Sequence, residues 1–121
     1  MVALAEKQVQ TRHAKLMEYF QFLYSRDQIA LRTIADVKLI LQLLDCVVSL
    51  ELPEPDASAG AQGQILLDWE LNEHHFELEI FPTGEGVFFY YNRVTKETWD
   101  DDYHIGDEIS DKVQNYLRLY L

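Results

Sequence analysis

The sequence predicts an α+β domain with two N-terminal helices, a three- to four-stranded antiparallel β-meander and a C-terminal helix. Three observations predict it. Apolar residues recur at three- and four-residue steps up to residue 52 and again after residue 107, while from residue 65 to 80 they alternate with carboxylates. The strand-like segments are joined by short polar turns, which suit hairpins and leave no room for a parallel crossover. At 121 residues, 48% hydrophobic and 12% aromatic, the chain has the material for one sizeable core, so residues 1–121 are read as a single domain.

Residues 1–52 are read as a helical hairpin. In the first helix Val9, Leu16, Phe20 and Leu23, with Met17 and Tyr24 beside them, share one face. His13 sits on that face, where a partly buried, hydrogen-bonded imidazole is expected. Ser25 followed by Gln28 has capping-box spacing, which starts a second helix near Arg26. The stripe of that helix (Ile29, Ile34, Val37, Ile40, Leu41, Leu44, Val47, Val48) is wider than one surface face needs. The helix is therefore expected at the centre, with surface left for a homodimer contact. The single cysteine, Cys46, has no partner for an internal disulfide and is expected buried as a small apolar residue.

Residues 53–64, rich in proline, glycine and alanine, are expected to form a loop. Residues 65–100 form the sheet. Ile65, Leu67, Trp69 and Leu71 alternate with Asp68 and Glu70, and Phe76, Leu78 and Ile80 alternate with Glu77 and Glu79. Asn72 to His74 supplies one turn and Pro82 to Gly86 the next, its two glycines able to take positive φ. The second helix should pack on this sheet, placing Ile34, Val37, Leu41, Leu44 and Val48 against Leu67, Trp69, Phe76, Leu78 and Ile80. The last helix, residues 107–120, has Asp107 as its expected N-cap and Ile109, Val113, Tyr116, Leu117 and Tyr120 as its stripe.

The segment Val87–Trp99, VFFYYNRVTKETW, resembles the second and third strands of a WW domain: paired aromatics, an asparagine, a threonine turn and a tryptophan. The likeness covers those thirteen residues. Trp69 stands thirty positions before Trp99, farther than that family spaces its tryptophans, and Asp100–Asp102 lack its closing proline. The segment is therefore read as an aromatic hairpin with a polar turn.

The net charge of −11 is unevenly placed. Up to Leu52, six basic residues balance six acidic ones; from Pro53 onward, four basic residues face fifteen acidic ones. A negative field of this kind repels phosphate backbones and anionic lipid, so direct nucleic-acid or membrane binding is not expected, whereas a basic protein surface is attracted. Arg32, Asp36, Lys38 and Asp45 interrupt the most apolar stretch, which excludes a transmembrane reading, and Met1–Gln10 has no signal-like apolar run. A cytoplasmic location is expected.

Chemistry-bearing patterns are sparse. There is no GxSxG, phosphate-binding glycine loop, HExxH or CxxC. Asp100–Asp102 with His104 offers hard ligands, but an EF-hand opened at Asp100 would require glycine at 105 and glutamate at 111, where Ile105 and Asp111 stand. The run is read as a solvated turn leading to a helix. His74 and His75 are adjacent on a strand, point to opposite faces and do not share an ion. Asp68, Glu70, Glu77 and Glu79 project from neighbouring strands, but an exposed face offers no burial to separate their pKa values, and no strand lysine accompanies them. No cofactor, metal ligand or catalytic residue is assigned. The expected function is non-enzymatic: an inhibitor, immunity- or antitoxin-type partner, or accessory subunit. Its acidic surface, centred on Glu77, Glu79, Tyr90, Asp100, Asp101 and Asp102, would bind a basic protein. The alternative is a small-ligand or divalent-metal-binding domain, with or without an enzymatic activity.

Overall fold

The computed structural model describes residues 13–48 and 52–121. In chain order the elements are α1 (Ala14–Ser25), α2 (Leu31–Val48), β1 (Asp56–Ala59), β2 (Ile65–Leu71), β3 (His74–Ile80), β4 (Glu85–Asn92), β5 (Thr98–His104) and α3 (Asp111–Tyr120). The five strands form one antiparallel sheet in sequence order, a meander in which every neighbour is a hairpin partner. The α+β class and the helix placement hold, with one more strand than the pattern showed. Val9 lies outside the described residues.

Four boundaries move, each because backbone pairing or capping outweighs side-chain pattern. Within the expected loop 53–64, Asp56–Ala59 pairs with Ile65–Asp68 as β1, its small side chains leaving no hydrophobic alternation to read. The expected end of the sheet at residue 100 extends to His104, because Asp100–His104 stays in register with Glu85–Phe89. The acidic run is thus an edge strand and not a turn. The N-cap of α3 is Ser110 in place of Asp107: its Oγ accepts the Val113 amide at 3.3 Å. Ser25 closes α1 instead of opening α2, its hydroxyl donating to the Phe22 carbonyl at 2.7 Å. The amides of Arg26, Asp27 and Gln28 return to Leu23 and Tyr24, so α2 begins only at Leu31.

The helices lie on one face of the sheet. Ile34, Val37, Leu41, Leu44 and Val48 are buried, as are Leu67, Trp69, Phe76, Leu78 and Ile80, so α2 covers the sheet through the expected residues. Phe20 and Leu23 of α1 complete the core on one side, and Val113 and Leu117 of α3 on another. Of the two glycines in the expected Pro82–Gly86 turn, only Gly84 takes positive φ (88°). Gly86 lies inside β4, where a Cβ would stand 2.7 Å from the Glu79 carbonyl oxygen, so glycine there permits close strand approach. Cys46 is exposed, contrary to expectation, because it falls on the outward side of α2. No helix among the described residues is long and apolar enough to cross a membrane.

Candidate functional site on the open sheet face

The alternation of β2–β5 sends one set of side chains under the helices and the other outward. Among the described residues, none of the outward set is buried. Cross-strand register arranges that set in rows: Asp56, Asp68, Glu77, Phe89 and Asp100 in one; Leu66, Glu79, Val87 and Asp102 in the next; Glu70, His75, Tyr91 and Thr98 in a third. Read along the strands, β4 contributes an apolar line of Val87, Phe89 and Tyr91. Carboxylates flank it on both sides, Glu77 and Glu79 from β3 and Asp100 and Asp102 from β5.

The expected surface residues are therefore divided. Glu77, Glu79, Asp100 and Asp102 share the open face. Asp101 points the other way, accepting a 2.5 Å hydrogen bond from the Ser110 hydroxyl beneath α3. Tyr90 is removed from the surface altogether: it is fully buried beneath α3, with Trp99, Tyr116 and Tyr120 around its ring. Its hydroxyl lies 2.7 Å from Nδ1 of His74 and 3.3 Å from Nδ2 of Asn92. Consecutive residues on a strand face opposite ways, so no run such as Asp100–Asp102 or Phe89–Tyr91 presents all its members together.

At the β2–β3 end of the open face stands a group that sequence reasoning considered only in parts. Asp68 is directly opposite Glu77, and His75 is on the same face of β3 two residues before Glu77. Nε2 of His75 is 3.8 Å from Oδ1 of Asp68 and 3.8 Å from Oε2 of Glu77. Its Nδ1 is 3.0 Å from Oε1 of Glu70, which is itself 2.5 Å from the Arg93 guanidinium in the β4–β5 turn. The face is less solvated than expected. Partial burial is the main cause raising the Asp68 carboxyl, with His75 opposing and Glu70 and Asp56 adding to it. Partial burial also leads in raising Glu77, reinforced by Asp68 and opposed by His75. The hydrogen bond from Arg93 holds Glu70 below the usual carboxylate range. His74 and His75 do point to opposite faces, as expected, but His75 meets carboxylates there. The signal was the period-two spacing of His75, Glu77 and Glu79 within one strand.

The chain matches no protein-family model, no curated protein and no solved structure.

Proposed function

We propose that this is a non-enzymatic, cytoplasmic interaction module whose open sheet face docks a basic protein surface. One observation carries the reading: the apolar line Val87–Phe89–Tyr91 bordered on both sides by carboxylates. Apolar and aromatic centres with charged rims are the usual anatomy of a specific interface, the centre contributing contact energy and the rim steering encounter and register. Phe89 and Tyr91 thereby take the anchoring role that the sequence suggested for Tyr90. An inhibitor, an immunity- or antitoxin-type protein or an accessory subunit would each fit such a surface.

The test is affinity capture from native lysate with the wild type and with Phe89→Ala, followed by association kinetics on the partner recovered. A basic protein retained by the wild type and lost by Phe89→Ala supports the reading. Neutralising Glu79, Asp100 and Asp102 together to their amides should slow its association and flatten the salt dependence, whereas Phe89→Ala should chiefly speed dissociation. A partner whose affinity ignores salt, the triple variant and Phe89→Ala alike would overturn it.

A further inference from the structure

The cross-strand pair Asp68 and Glu77 sets two carboxylates directly opposite each other on the open face. Like charges so placed repel across the ladder. Among the described residues, neither forms an ion pair with a lysine or arginine; the group that faces both is the imidazole of His75, its Nε2 at 3.8 Å from each. That distance is beyond hydrogen-bond reach but short enough for a third body to sit between.

We propose that Asp68, His75 and Glu77 form a binding site for a divalent transition-metal ion such as Zn²⁺. One ligand atom from each residue lies within 4.8 Å of the other two. A tetrahedral zinc with bonds of about 2.1 Å holds its ligand atoms about 3.4 Å apart, so the side chains close on an ion with shifts of about an ångström and no movement of the strands.

The orientation of the imidazole distinguishes this group from a chance gathering of surface acids. An ionised carboxylate only accepts hydrogen bonds, so Glu70 draws the proton of His75 to Nδ1. Nε2, 3.8 Å from both Asp68 and Glu77, is then the nitrogen left to bind an ion. Arg93 fixes Glu70 in turn. A carboxylate behind a histidine, setting its tautomer and its aim, is the arrangement that supports metal-bound imidazoles. Glu70 is thus a positioning residue, and Asp68, His75 and Glu77 are the ligands.

The donor set selects the class of ion. One imidazole and two carboxylates suit zinc and neighbouring first-row ions; magnesium and calcium favour more numerous, all-oxygen shells. Three protein ligands leave a coordination position directed to solvent, open to water or to a side chain of a docked protein. The site does not depend on the docking reading, since its test needs no partner.

That test is calorimetric titration of the isolated full chain with Zn²⁺. One ion per chain is expected, with Mg²⁺ bound at least tenfold more weakly. His75→Ala and Asp68→Asn should each abolish saturable binding, and Glu70→Gln should weaken it about tenfold to a hundredfold. Glu79→Gln, on the same strand and face but outside the ligand set, should change affinity less than about threefold. A structural role for Glu70 alone would not move the ¹⁵N resonances of the His75 ring; the proposal expects the metal-free wild type to carry its proton on Nδ1 and Glu70→Gln to lose that preference. Should a ligand variant fail to fold, the wild type still decides: substoichiometric Co²⁺ should broaden the amide resonances of Asp68, His75 and Glu77 before others. Zinc binding unchanged by His75→Ala, equal loss in Glu79→Gln and Asp68→Asn, or cobalt broadening spread over β5 would each overturn the site.

Discussion

His13, at the head of α1, has its Nε2 3.3 Å from Oδ2 of Asp45 on α2 and its Nδ1 3.1 Å from both carboxylate oxygens of Glu54 in the segment leading to β1. The imidazole is buried and so ties both helices to the chain that enters the sheet. A protonated ring donates to both partners at once, and a neutral ring satisfies only one of them. The hydrogen bond to Asp45 is the leading cause that raises the His13 pKa; burial opposes it and Glu54 reinforces it.

The sign of the resulting pH dependence follows from that shift. A folded-state pKa above the unfolded value of 6.5 means that His13 contributes its full stabilisation below pH 6.5 and loses it as pH rises through the higher folded value. The stability difference between the wild type and His13→Gln should therefore be larger at pH 6 than at pH 9. Urea midpoints of both proteins at the two pH values check this; a constant difference would place the proton elsewhere.

Leu78 is fully buried on β3, between Leu67 and Phe88 in the ladder and beneath the helices. Leu78→Ala should lower stability by about 2–5 kcal/mol, through lost burial and the cavity left behind. Chemical denaturation measures it, and a midpoint equal to that of the wild type would remove Leu78 from the core.

Tyr90→Phe separates packing from hydrogen bonding at a fully buried aromatic residue. The ring stays, but Nδ1 of His74 and Nδ2 of Asn92 lose their shared partner in a buried setting, at an expected cost of roughly 1–3 kcal/mol. Because Tyr90 faces α3, the substitution should leave partner association unchanged, in contrast to Phe89→Ala. Surface binding kinetics with both variants test that contrast.

The helices and the strands β2 and β3 were legible in the sequence because each buries one face, and burial on one side imposes a period. The residues that carried those periods, Val37 and Leu44 in α2 and Leu67 and Leu78 in the sheet, are all in the core. β1 was not legible: Ala57 and Ala59 are too small to mark an apolar face, and the strand exists because its backbone pairs with β2. Nor was the extent of β5, where pairing with β4 holds Asp100–Asp102 extended despite their poor intrinsic fit to a sheet.

By itself, then, the sequence determined the fold class, most of the inward residues of α2, β2 and β3 and the concentration of negative charge after residue 53, since these depend on local period and composition. Which charged and aromatic residues meet was decided only by tertiary structure. Tyr90 and Phe89 are neighbours in the chain, yet strand alternation buries one and presents the other. Asp68, Glu70, His75 and Arg93 are spread over 26 positions of sequence, and hairpin register alone brings them to one end of one face. Side-chain chemistry is a property of single residues, but a site is a property of register, and register is set by backbone hydrogen bonds and turns that composition does not reveal.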